Sequence, residues 1–155
     1  MEEEDLSLLY KQWLTKAMSF CSYTERSPME VRTKLESWDV PSETIPKLLQ
    51  SLENENFINQ DRFVEAYVGG KFRIKKWGKL KIAAGLRTHQ VPSMAIQQGL
   101  AQIPMTDYLE TMRNHFEQKC KELKNTTTAQ NRQKIYNYLY SKGFEPDLIY
   151  KLFQD

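Results

Sequence analysis

The 155-residue sequence is short of cysteine, histidine, glycine and proline, and it has no long apolar run. No apolar segment approaches the ~20 residues of a membrane-spanning helix, and the acidic start at residues 1–5 is the opposite of a basic secretory leader. We therefore expect a cytoplasmic protein that makes no membrane contact. Cys21 and Cys120 lie 99 positions apart and fit no metal-ligand spacing, so we expect structural or incidental thiols.

Residue types that build catalytic sites are scarce. His89 and His115 are the only histidines, and His115 lies five positions before Cys120, which places the two on different faces of a helix. The Gly78-Lys79 pair lacks the upstream glycine of a phosphate-binding loop. We expect no enzymatic activity and hence no catalytic residues, no metal site and no cofactor.

What the sequence does contain predicts a folded, all-α protein. Aromatic residues make up 12% of the chain, which excludes a disordered protein. Lys, Glu, Gln and Leu are plentiful, glycine and proline are few, and apolar residues recur at spacings of three and four, as in helices. Ser27 to Glu30 forms a capping-box motif with Pro28 at the first helical position, which predicts a helix start.

One apolar pattern occurs three times, each time with spacings of four, five, five and four residues. The copies lie 51 and then 53 residues apart, as in tandem structural repeats. Each copy describes a helix, a tight turn and a second helix, and a longer helix precedes it, over about 5–21, 61–75 and 107–124. The copies are Val31, Leu35, Val40, Ile45, Leu49; Ile82, Leu86, Val91, Ile96, Leu100; and Ile135, Leu139, Phe144, Ile149, Phe153.

These copies predict a fold of three tandem three-helix repeats that resemble helix-turn-helix units. We place the repeats at about 5–56, 57–104 and 105–155, within one domain that spans residues 1–155. A unit this small cannot bury its own apolar stripe, so we expect the repeats to pack end to end into an elongated, curved body.

Charge is segregated along the chain, although the formal net charge is only +2. Residues 1–65 have a net charge of −6, residues 66–106 have +7 and no carboxylate, and residues 107–155 have +1. Apolar residues alternate with the cations of the middle stretch, which indicates a folded element with an apolar underside. Its cations are Lys71, Arg73, Lys75, Lys76, Lys79, Lys81 and Arg87.

The basic segment, residues 71–87, has two possible roles. It is a solvated face whose partners are glutamates of the acidic first third, or it faces a polyanion, either DNA phosphates or the acidic wall of a protein groove. We favour the polyanion because no acid lies nearby in the sequence, and Gly78 allows a bend or a close backbone approach to a partner. The candidate binding residues are its seven cations and Trp77, with Arg26, Arg32 and Arg62 as secondary candidates.

Four tyrosines cluster in the third copy, at positions 136, 138, 140 and 150. Their rings could stack on bases or line a partner's groove. We favour packing in and around the core, because Tyr138 and Tyr150 each adjoin a repeat position.

Several short motifs occur in a family-specific order. They are Ser27, Glu30, Val31, Lys34 and Leu35; Ile58 before Asp61-Arg62-Phe63 and Tyr67; Trp77-Gly78 before Ile82 and Leu86; and Tyr138-Leu139 before Lys142-Gly143-Phe144 and Ile149. Over residues 20–153 this combination resembles the RecX family, bacterial regulators of the RecA recombinase.

The resemblance implies three tandem three-helix repeats and a non-enzymatic role in homologous recombination, DNA repair and the SOS response. It implies binding in the groove of the RecA-DNA filament and suppression of its ATPase, strand-exchange and co-protease activities. The sequence departs from the family pattern at Val64, where alanine is usual, and at Asp39 and Gln90, where a turn glycine is common. Glutamine tolerates a left-handed backbone less well than aspartate, so we expect a differently built second turn.

Two functions remain open at this stage. The first is a monomeric inhibitor of the RecA recombinase filament that contacts single- or double-stranded DNA weakly or within the filament. The alternative is a helical-repeat protein that binds nucleic acid directly through the basic segment.

Overall fold

A computed structural model describes residues 2–154, and this part of the chain is all-α. Nine helices and no strand occur in it, which confirms the predicted fold class. None of these helices is long and apolar enough to cross a membrane. They are α1 Glu3–Tyr23, α2 Pro28–Ser37, α3 Ile45–Asn54, α4 Gln60–Arg73, α5 Lys79–Thr88, α6 Ser93–Leu100, α7 Met105–Leu123, α8 Ala129–Ser141 and α9 Pro146–Gln154.

The chain folds into two compact units, Met1–Ala66 and Tyr67–Asp155, whose boundary lies within α4. In the first unit α1, α2 and α3 pack against one another around Val31, Leu35 and Leu48, which are fully buried. The predicted capping box starts α2: the Glu30 amide donates to Ser27 Oγ at 3.1 Å, and Glu30 Oε1 accepts from the Ser27 amide at 3.1 Å. The three repeat boundaries drawn from the sequence stay a prediction.

The second unit has an aromatic centre. Tyr108 of α7 is fully buried, and its ring centre lies 6.0 Å from that of Phe72 in α4 and 5.4 Å from that of Phe144. Aromatic side chains bury the largest apolar area of any residues, so this cluster joins α4, α7 and the turn before α9 strongly. Phe72 lies in the last turn of α4, where the basic segment begins.

The repeated apolar pattern matches the buried positions closely. Its first four residues are buried in every copy, whereas the fifth, Leu49, Leu100 or Phe153, is only partly buried. In α3 the buried stripe instead continues from Ile45 to Leu48 and Leu52, at spacings of three and four, and Leu49 lies at its edge.

All three repeat turns have the same construction. Asp39, Gln90 and Gly143 have φ angles of 59°, 60° and 101°, so each occupies the left-handed region. In each turn the following residue donates its amide to the carbonyl five positions back, at 3.1–3.2 Å. The expectation that the Gln90 turn is built differently is therefore wrong, because this hydrogen bond and the apolar pair that it joins offset the cost of left-handed glutamine.

Candidate functional site

The basic segment begins in the last turn of α4, continues through a loop at residues 74–78 and occupies α5. Lys71 and Arg73 lie at the C-terminal end of α4, where the helix dipole favours cations. Lys79 and Lys81 lie in the first turn of α5, where the dipole disfavours cations and where no acidic residue compensates them. The interaction with the helix dipole therefore does not explain why Lys79 and Lys81 lie at the start of α5.

Trp77 lies between two of these cations. Lys71 Nζ is 4.8 Å from the centre of the indole ring, and Lys81 Nζ is 4.5 Å from it. Cation–π contacts of this kind contribute about 0.5–1 kcal/mol each at exposed sites. We call Lys71, Trp77 and Lys81 the Trp77 cage, because the partly buried indole holds an ammonium group from each of two helices.

The loop that carries Trp77 is hydrogen-bonded to the turn between α8 and α9. The Gly78 amide donates to the Lys142 carbonyl at 2.8 Å, and the Leu80 amide donates to the Gly143 carbonyl at 2.9 Å. A Cβ atom at Gly78 would collide with the Gly143 backbone and the Phe144 amide, so this position requires glycine. The close backbone approach that the sequence allowed at Gly78 is therefore made to the chain itself and not to a partner.

His115 of α7 anchors the same loop. Its Nε2 atom lies 2.9 Å from the carbonyl of Lys76, and because a carbonyl only accepts, Nε2 carries the hydrogen. Lys76 has a φ of 60°, a conformation that a non-glycine residue adopts at a cost. Burial is the largest cause of the lowered pKa of His115, and the charges of Lys142 and Lys76 lower it further, against the hydrogen bond to the Lys76 carbonyl. The neutral imidazole of His115 thus stabilises the left-handed backbone conformation of Lys76 through this hydrogen bond.

Tyr108 anchors the start of α5. Its hydroxyl accepts a hydrogen bond from the Lys79 amide at 2.9 Å and donates one to the Glu145 carboxylate. Burial and then the bond to Glu145 raise the pKa of the Tyr108 phenol, so the hydroxyl keeps its proton. No sequence pattern connects Tyr108 or His115 with the basic segment, because each lies about 30–40 residues from its partner.

The cations of the basic segment have no carboxylate partner among residues 2–154 within the 4.0 Å of an ion pair. Arg73, Lys75, Lys76 and Arg87 are exposed, and the lysines at positions 71, 79 and 81 are partly buried. The structure brings Lys71 and Lys81 together at Trp77, whereas Arg87 lies about 9 Å further along α5 by helical rise. Uncompensated charge at fixed positions can attract and orient a polyanion.

Two of the secondary candidates have structural partners in the first unit. The Arg26 guanidinium lies 3.8 Å from the ring centre of Phe20 and 3.7 Å from a Glu30 oxygen. Arg62 pairs with Glu25 at 2.9 Å and also donates to the Asn56 carbonyl at 2.9 Å. Arg32 is exposed on α2.

In the part of the chain that the structure describes, no three His, Cys, Asp or Glu side chains lie close enough together to hold a metal ion. Cys21 is buried and Cys120 is partly buried, and both are free thiols. Burial is the largest cause of the raised pKa of each thiol, which lowers its reactivity.

Comparisons with known proteins identify family models and a solved structure that match this fold. A family model described as "RecX, second three-helix domain" matches residues 59–100, and one described as "RecX, third three-helix domain" matches residues 106–153. The crystal structure of RecX from Lactobacillus salivarius aligns with a TM-score of 0.84 at 22% identity, covering 94% of both chains, so the two share a fold.

Curated relatives match along most of this chain. "Regulatory protein RecX" of Bacillus pumilus is 27% identical over 145 residues, which are 94% of this chain and 55% of the relative. The protein of the same description from Clostridium acetobutylicum is 28% identical over 146 residues, which are 92% of this chain and 66% of the relative. The chain thus spans about half to two thirds of the length of these relatives.

Proposed function

The chain belongs to the RecX family, and on that premise we propose that it is a non-enzymatic regulator of a RecA-type recombinase. The relatives that it matches are named regulatory proteins. We assign the contact with the recombinase-DNA filament to the basic segment. The observation that carries this assignment is the Trp77 cage, which holds two ammonium groups without a carboxylate partner among the described residues.

A filament of recombinase on DNA presents phosphates, which the basic segment can neutralise. The exposed side chains of Arg73, Lys75 and Lys76 extend this positive surface from the Trp77 cage along the loop. If all seven cations met phosphates, the logarithm of affinity would fall with the logarithm of salt concentration with a slope of about −6. Binding to the filament as an inhibitor would lower its ATP hydrolysis and strand exchange.

The experiment measures ATP hydrolysis by a RecA recombinase on single-stranded DNA, with this protein added in substoichiometric amounts. We expect the rate to fall. We expect Lys75→Glu combined with Lys76→Glu to abolish that fall, because both lysines are exposed on the positive surface that meets the phosphates and the substitutions reverse their charge. Lys11→Glu combined with Lys47→Glu is the matched control, since it makes the same charge change on exposed positions of the first unit. An unchanged rate at every ratio of the two proteins would refute the proposal.

A second function, direct binding of nucleic acid without a recombinase, has support from the same uncompensated charge. It predicts tight, salt-sensitive binding of naked duplex DNA by the protein alone, and loss of that binding in the Lys75→Glu, Lys76→Glu variant. Filament inhibition together with weak binding to naked duplex DNA distinguishes the regulator from a general DNA-binding protein. Tight binding that survives the double reversal contradicts this second function.

A further inference from the structure

Three tyrosines form a stack on the surface of α8 and α9. The ring centre of Tyr136 lies 6.0 Å from that of Tyr140, with 6° between the ring planes, and 5.3 Å from that of Tyr150, with 27° between the planes. Tyr140 and Tyr150 are 52% and 57% exposed. Tyr138 is partly buried and its ring meets His115 edge-on, as packing around the core predicts, whereas Tyr140 and Tyr150 pack against Tyr136 and leave more than half of their surface exposed. We call Tyr136, Tyr140 and Tyr150 the tyrosine stack.

A groove of about 530 Å³ adjoins the tyrosine stack. Tyr136 and Tyr150 line it together with Arg132, Gln133 and Phe153, and its volume falls in the range of sites that hold small organic ligands. The Arg132 guanidinium lies 5.0 Å from the centre of the Phe153 ring, and one nitrogen donates to the Phe153 carbonyl at 3.4 Å. A guanidinium has five N–H donors, so the exposed Arg132 keeps donors for an anion.

Among residues 2–154, Arg132 is the charged residue that lines this groove, and no carboxylate lines it. Helix α8, which carries Arg132, also contains Lys134 and no acidic residue. The occupant of the groove should therefore combine negative charge with flat aromatic faces. An acidic peptide would bind the Arg132 guanidinium but would leave the ring faces unused, and a duplex would hide its base faces inside the helix. Single-stranded nucleic acid supplies both phosphates and accessible bases.

We propose that the tyrosine stack and Arg132 form a binding site for single-stranded nucleic acid. Bases stack on the exposed rings of Tyr140 and Tyr150, and a backbone phosphate binds the Arg132 guanidinium. This site shares no residue with the basic segment, and its operation requires no recombinase.

The test measures fluorescence anisotropy of a labelled 20-nucleotide oligothymidine with the protein alone. Stacking on an aromatic side chain contributes about 1–3 kcal/mol per base, so Tyr140→Ala combined with Tyr150→Ala should weaken binding by at least about tenfold. Tyr140→Phe combined with Tyr150→Phe keeps the rings and should bind as the unaltered protein does. Tyr23→Ala removes a tyrosine that is 87% exposed in the first unit and should change nothing.

An abasic strand of the same length keeps the phosphates but has no bases, so it separates the contribution of base stacking from that of the phosphate contacts. The unaltered protein should bind this abasic strand about tenfold more weakly than oligothymidine, and the double alanine variant should bind both strands equally. Equal affinity of the unaltered protein and the alanine variant for oligothymidine overturns the proposal, as does equal affinity of the unaltered protein for the two strands. If sedimentation shows a dimer that only the alanine variant loses, while oligothymidine binding is unchanged, the stack is a contact between copies and the proposal fails.

The readout differs from that of the filament experiment. A failure of the tyrosine variants to weaken oligothymidine binding leaves the ATPase result with Lys75 and Lys76 untouched. Conversely, a failure of filament inhibition leaves the difference between the two strands intact. The two proposals can therefore fail separately.

Discussion

Substituting Gly78 by alanine tests whether the loop of the basic segment is fixed to the α8–α9 turn. The added methyl group would collide with the Gly143 carbonyl group and the Phe144 amide, all of them backbone atoms that cannot rotate away. Either the loop and the α8–α9 turn stay in contact and the site is overpacked, or the two segments separate. Separation breaks the hydrogen bonds from the Gly78 and Leu80 amides, at 2.8 and 2.9 Å.

Both responses have a cost that follows from the contacts. Overpacking of a well-packed site costs about 1–3 kcal/mol. Two backbone hydrogen bonds contribute about 1 kcal/mol each, so separation costs about 2 kcal/mol before any apolar surface is exposed. We therefore expect Gly78→Ala to lower the free energy of unfolding by about 2–3 kcal/mol, and to lower Tm by about 5–10 °C in a chain of this length.

Circular dichroism during urea and thermal unfolding measures this loss. Gly70→Ala is the matched control, because Gly70 lies inside α4 with nothing within 4 Å of an added methyl group. It should raise the free energy of unfolding by about 0.5–1 kcal/mol, since alanine forms helix better than glycine. If Gly78→Ala unfolds within about 0.5 kcal/mol of the unaltered protein, the loop is not fixed as described.

Three further predictions concern buried and partly buried polar groups. Tyr108→Phe keeps the ring but removes the acceptor of the Lys79 amide, so the free energy of unfolding in urea should fall by about 1–3 kcal/mol. Burial lowers the pKa of folded His115 below that of the unfolded chain, so stability is complete above the unfolded value of about 6.5 and decreases as pH falls. His115→Gln should flatten the dependence of unfolding free energy on pH as the pH falls below about 7; an unchanged slope would contradict this. At neutral pH both cysteines should react with a thiol reagent more slowly than free cysteine does, and the buried Cys21 more slowly than Cys120.

The sequence predicted the helices well because their signals are local. The capping box at Ser27 is confirmed, and the three long helices begin and end within about two residues of the predicted limits. The first spacing of five in the apolar pattern has a local cause as well, because it separates the two residues whose backbone hydrogen bond closes each turn. Residue preference alone does not predict the left-handed conformation of Gln90, because the hydrogen bond across the turn stabilises it.

The candidate site could be predicted only in part. The cations and Trp77 are visible as a cluster in the sequence, but the Trp77 cage depends on the ends of two helices meeting. The anchoring contacts join residues far apart in the chain, such as His115 to the carbonyl of Lys76 and Gly78 to that of Lys142. Helical periodicity contains no information on such pairs, because it describes only which face of each helix is apolar.

The Trp77 cage also makes the protein its own optical reporter. The other two tryptophans, Trp13 and Trp38, belong to the first unit, so Trp77 is the only indole of the second. With phenylalanine at positions 13 and 38, all tryptophan emission would come from a ring between two ammonium groups. An anion that draws Lys71 or Lys81 away changes the electric field on that ring. The side chain that organises the charged surface can thus signal when the surface is occupied, without an attached dye.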